Sequence, residues 1–257
     1  MTGAGAVLTL VLVEWTGGLL LAAGWTESWN VVTRGHFRII AWTAIALGIG
    51  AFFSFRATGA ASGTIAIVAL IAFAVLFLAA QYVRSDQVGH VIGVAGGIVG
   101  AVALAILGSL SDVWDPWLIS VGLIVGMLLV GGVGNGMLLG HWYLNQPGLK
   151  PFALERLTNL TLVAVVLSTV FGLVCYGPLT SARTEGAVLG LPGFGESFSF
   201  AFYVAWLVIL AFTGGVVWAA RRCVKIRSIQ SATGLFYVAL LTAGVAEFLV
   251  RYLMVNA

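Results

Sequence analysis

Charge is what this chain lacks most. Of its 257 residues, 12 are Lys or Arg and 9 are Asp or Glu, so charged residues make up only 8%. A soluble domain of this length carries roughly a quarter, and the deficit excludes that class. The net charge of +3 is small, and the basic residues sit in short stretches between apolar runs. That distribution excludes a nucleic-acid-binding face and matches the positive-inside pattern of membrane proteins. Cysteine is scarce too. Cys175 and Cys223 form no CxxC or CxxCH pattern, so the chain holds no thiolate set for an iron–sulfur cluster or zinc. Proline occurs five times, at Pro116, Pro147, Pro151, Pro178 and Pro192, and marks several boundaries between apolar runs. The N-terminus has no basic stretch before its first apolar run, and that run contains Glu14. It therefore reads as a retained helix rather than a signal peptide.

Hydrophobic residues, at 61%, fill the remaining sequence. A membrane helix needs about 20 apolar residues. Eight runs qualify, at roughly 6–24, 37–55, 63–83, 89–108, 117–140, 157–176, 198–219 and 233–254. The fold class is therefore all-α, a polytopic helix bundle forming a single transmembrane domain over residues 1–257. Orientation follows from Lys and Arg. The connections after odd-numbered spans hold nine (Arg34, Arg38, Arg84, Lys150, Arg156, Arg221, Arg222, Lys225, Arg227), and the opposite side holds three (Arg56, Arg183, Arg251). The asymmetry places both termini outside and the odd connections in the cytoplasm. By that topology the two cysteines lie on opposite faces. Trp25, Trp29, Trp114, Trp117 and Trp142 stand near span ends, as an aromatic belt requires. The longest connection, 176–197, is rich in Gly and Pro and suits a cap or a re-entrant turn.

Glycine is abundant, with 34 residues. Gly132, Gly136 and Gly140 repeat every four residues in the fifth span, following Gly122 and Gly126, and Gly93–Gly97 and Gly96–Gly100 do the same in the fourth. Such stripes let helix backbones approach closely, either as ordinary packing seams or as room for a flat cofactor. The run GGVGNG at 131–136 lies inside a span, with no βαβ pattern around it to make it a dinucleotide site. No sequence repeat supports an internal duplication.

Two acidic residues stand inside apolar runs. A carboxylate at the centre of a membrane helix costs about 2.5–3.5 kcal/mol on insertion scales. Glu14 lies mid-membrane with no local partner, which points to function or to a subunit contact. Glu247 lies in the outer half of the last span, four residues before Arg251, the spacing of an ion pair on one helix face. Glu14, Glu247 and Arg251 are the candidate proton-handling group. A second set of candidates gathers at the cytoplasmic end. His36 begins the second span, His90 begins the fourth, and His141 ends the fifth beside Trp142 and Tyr143. Imidazole there can ligate haem or a metal, shuttle protons to a quinone head group, or anchor helix ends at the lipid interface. No two histidines share the helical spacing a metal site favours, so no metal is assigned. Glu155 and Asn159 share a helix face just beyond.

The stretch Gly244–Leu253, GVAEFLVRYL, resembles the final helix of the membrane anchors of DMSO-reductase-type and NrfD-like respiratory oxidoreductases. Those helices often carry Glu-x-x-Gly-Arg followed by aromatic residues. Glu247 and Arg251 match its ends, and Val250 stands in place of the glycine. Eight spans with both ends outside also look like such an anchor. The resemblance implies a haem-free subunit of an electron-transfer complex. It would exchange electrons and protons between quinone and an iron–sulfur partner, in a bacterial cytoplasmic membrane, among lipids and other membrane or peripheral redox subunits. The outer side lacks the histidine expected near such a quinol site. The alternatives are a small-solute transporter with Glu14 at a midplane site, and a non-catalytic scaffold subunit held by glycine seams.

Overall fold

The computed structural model describes residues 3–83, 86–111, 114–146, 148–149, 151–181 and 196–256. Arg84, Pro147, Lys150, Arg183 and Pro192 lie outside the described residues, as does most of the 176–197 connection. The described residues form helices α1 (Ala4–Glu27), α2 (Arg34–Ala57), α3 (Thr64–Ala80), α4 (Asp86–Gly108), α5 (Pro116–Asn145), α6 (Phe152–Val174), α7 (Tyr176–Thr180), α8 (Glu196–Lys225) and α9 (Ile229–Asn256), with no strand among them. All but α7 correspond to the eight apolar runs. Seven are long and apolar enough to cross a membrane, and the protein is an integral membrane helix bundle. The eighth, α3, has 17 residues, about 25 Å of helix.

Most helices overrun the apolar stretches that announce them. The fifth run reads to 140, whereas α5 continues to Asn145 and carries His141, Trp142 and Tyr143 within it. Hydropathy registers the hydrocarbon layer, but the i→i−4 ladder continues into the interface wherever nothing breaks it. Helix α3 behaves oppositely. It stops at Ala80, and the following turn buries Gln81 beside Glu27.

Helices α1 to α4 form one ring, each packed on the next and α4 closing back on α1. Helices α5, α6, α8 and α9 repeat that neighbour order, with α9 closing on α5. The two rings meet along α1 and α5, with α4 against α5 and α1 against α9 as lesser contacts. A four-helix unit thus recurs without a sequence repeat to announce it. Helix α1 is apolar nearly all round because helices α2, α4, α5 and α9 surround it.

Glycine makes the central contacts possible. A Cβ on Gly18 of α1 would stand 2.9 Å from the Cα of Gly131 in α5, and one on Gly100 of α4 would stand 2.7 Å from the Cα of Gly17. These backbones touch where any side chain would part them, and dispersion packing is the main force joining helices within lipid. The glycine stripes are therefore packing seams along α1, α4 and α5. Cys175 and Cys223 are both free.

Candidate functional site

The last helix supplies two of the three outer candidates. On α9, Glu247 and Arg251 are one turn apart, and Arg251 Nη2 donates to Glu247 Oε2 at 2.5 Å. The third comes from the start of the chain: Arg251 Nε donates to Glu14 Oε1 at 2.6 Å. Helix α5 passes behind this group. Gly122 accepts a third hydrogen bond from Arg251 Nη2 through its carbonyl at 3.0 Å. At Gly126 a Cβ would overlap Arg251 Nη2 and Glu247 Oε2 and stand 2.9 Å from Glu14 Oε1. The absent side chain of Gly126 is thus the space the three charged groups occupy. Arg251 Nη1 meets the Met254 sulfur.

All three residues are buried, Glu14 at 0%, Glu247 at 1% and Arg251 at 1% exposure. Two carboxylates face one guanidinium, so the group carries one net negative charge when all three are ionised, and one bound proton makes it neutral. Glu14 Oε2 has no hydrogen-bond partner, which leaves one carboxylate oxygen available to carry that proton. Arg251, counted above among the outer-face cations, is buried in this ion pair. The basic asymmetry between the faces is therefore sharper than the loop count alone.

A crevice of about 650 Å³ runs beside the triad between the two rings. Val11, Leu12 and Trp15 line it from α1, and Gly244, Val245, Phe248 and Leu249 line it from α9. These residues flank Glu14 and Glu247 in sequence. The carboxylates themselves turn the other way, toward Gly126. The Thr43 hydroxyl of α2 and the Trp15 indole are the polar groups that side chains bring to an otherwise apolar lining.

At the end of the bundle where α1 finishes and α2 begins, the histidines separate. His36 is 1% exposed, and its Nε2 lies 3.0 Å from Asn135 Oδ1 on α5. Asn135 Nδ2 donates to Thr26 Oγ1 at 2.8 Å, and Thr26 donates to the Ala22 carbonyl at 2.7 Å. This order of donors has His36 donate through Nε2–H to the Asn135 amide oxygen. Its Nδ1 has no hydrogen-bond partner. The Trp142 ring centre is 6.3 Å from that of His36, and the indole N–H reaches Thr33 and Gln146. Tyr143 is buried on the other side of α5, its hydroxyl against the backbone of Ala153 and Leu154. His90 Nδ1 pairs with the Gly24 carbonyl at 2.9 Å, and His141 is exposed. The structure thus brings together His36 and Trp142, gives His90 and Tyr143 partners of their own, and leaves His141 at the surface. No group of three His, Cys, Asp or Glu residues able to hold a metal occurs among the described residues.

Four participants escape a reading of the sequence. Asn135 and Gly126 look like members of a glycine stripe. Glu27 and Gln81 look like interfacial residues at span ends. Yet Glu27 is 7% exposed, and Gln81 Nε2 donates to both its oxygens at 3.2 Å. The available signal was a lone amide, Asn135, inside an apolar span, where a polar group seeks an interhelical partner. No protein family, curated protein or solved structure matches this chain.

Proposed function

We propose that the protein is a haem-free membrane subunit of a respiratory-type electron-transfer complex in a bacterial cytoplasmic membrane, and that it meets quinone. In this reading a quinol gives up two electrons and two protons. The electrons pass to redox centres held by partner subunits, because this chain has no cysteine set for clusters. The Glu14–Glu247–Arg251 group accepts the two protons one after the other and releases each toward the outer face before taking the next. The isoprenoid tail lies in the apolar crevice lined by Trp15 and Phe248, with the head group at the depth of the carboxylates. The observation that carries the reading is the buried pair of carboxylates sharing one guanidinium, with Glu14 Oε2 unpartnered. Its support from sequence is the resemblance of Gly244–Leu253 to the last helix of DMSO-reductase-type and NrfD-like anchors.

The test is quinol-linked turnover of the complex carrying Glu247→Gln. The amide keeps shape and hydrogen bonding but cannot exchange the proton, so turnover falls by about a hundredfold with assembly intact, the scale of lost acid–base catalysis. Unchanged turnover in both Glu247→Gln and Glu14→Gln, with normal assembly, contradicts the proposal. One observation favours a second reading, the non-catalytic scaffold. The triad lines no part of the crevice and joins α1, α5 and α9 as a clasp between the two rings.

A further inference from the structure

A second crevice opens between the rings on the opposite side of the α1–α5 seam. It holds about 290 Å³ and is lined by Gly18, Leu21, Ala22 and Trp25 of α1, Val94 of α4, Leu128 of α5 and Leu160 of α6. Its lining carries no polar side chain apart from the Trp25 indole. Its surroundings at the cytoplasmic end are different. Arg156 lies four residues before Leu160 on α6, so it projects from the same face one turn nearer the cytoplasm. Trp25 stacks edge-on to Trp29 at 5.1 Å, Trp29 meets Phe152 at 6.1 Å, and the Arg156 guanidinium lies over the Phe152 ring at 4.3 Å and the Trp29 ring at 5.7 Å. A hydrocarbon slot is therefore overhung by aromatic rings and a cation.

Arg156 is exposed and makes no ion pair among the described residues. Arg222 and Lys225, in the last turn of α8, add positive charge on the same face. Glu155, in the first turn of α6, is the adjacent acid. We infer that this crevice is a binding site for an anionic phospholipid, with an acyl chain between α1, α4, α5 and α6 and its phosphate at Arg156. Charge complementarity selects the head group, and the apolar slot one turn below selects a chain rather than a peptide. Basic pockets between membrane helices at a cytoplasmic face take anionic head groups for this reason.

Native mass spectrometry of the purified full chain, equilibrated with equimolar phosphatidylglycerol and phosphatidylcholine, tests the inference. The wild type retains phosphatidylglycerol about fivefold over phosphatidylcholine, the preference expected from one interfacial cation. Arg156→Gln retains the two equally. Arg156→Lys restores the preference and supplies the comparison should the glutamine variant fail to fold. Leu160→Trp fills the slot and loses both lipids. Undiminished preference in Arg156→Gln, or undiminished retention in Leu160→Trp, overturns the inference. So does displacement of the bound species by inorganic phosphate, which would assign the site to a free anion.

Discussion

Substituting the two carboxylates separately and together gives a strongly non-additive result if the charge arithmetic of the triad is right. Arg251 donates to Glu14, Glu247 and the Gly122 carbonyl, and is 1% exposed. In Glu14→Gln the amide oxygen still accepts from Nε, and Glu247 alone balances the guanidinium. In Glu247→Gln the roles reverse. Each single change therefore costs at most about 1 kcal/mol, the scale of one interhelical polar contact in a membrane. The double variant leaves a buried guanidinium with no counter-ion. Removing the partner of a buried charge costs about 3–5 kcal/mol. The assay is reversible unfolding in mixed detergent micelles, followed by helix content, for wild type, both singles and the double. Double-mutant analysis isolates the coupling. A double variant whose loss equals the sum of two small single losses would refute the shared-guanidinium account. A single variant as damaging as the double would show that one carboxylate alone balances Arg251.

Gly126→Ala places a methyl on the three charged groups and should destabilise by about 1–3 kcal/mol, the range for overpacking. Gly234→Ala, where a Cβ meets nothing within 4 Å, should be neutral in the same unfolding assay. For topology, a cysteine placed at Arg227 in a cysteine-free background should react with an impermeant reagent only after the cytoplasmic face is opened; labelling in sealed cells would invert the orientation. Asn135→Leu removes the amide between His36 and Thr26 and leaves the His36 Nε2–H without its acceptor. Its cost of about 1–3 kcal/mol should largely disappear in the His36→Leu background, which a double-mutant cycle measures.

The bundle was legible because lipid demands long apolar helices, a property of local composition. The Glu247–Arg251 pair was legible for a similar reason, since four residues on a helix is a local distance. Glu14 was singled out by its depth, but its partner was not, because Arg251 lies 237 residues away in sequence. The identity of that partner depends on α1 and α9 meeting across α5, and on Gly126 leaving room. His36, His90 and His141 do lie near helix ends, as their places in the apolar runs imply, yet helix register separates them. His36 faces Asn135 inside the bundle, whereas His141 faces outward. The recurrence of the four-helix unit left no trace in sequence, because lipid-facing and seam positions accept many apolar residues so long as backbones can approach.

The most direct test of the proposed function is a quinone titration of the purified protein in lipid nanodiscs, read by tryptophan fluorescence. Trp15 lines the larger crevice beside Glu14, and a bound quinone quenches it. The account predicts saturable quenching by a long-tailed quinone. Most of that signal should be lost in Trp15→Phe, and the quench should weaken when Leu241→Trp narrows the crevice. Linear, non-saturating quenching, identical in the wild type and Trp15→Phe, would contradict it.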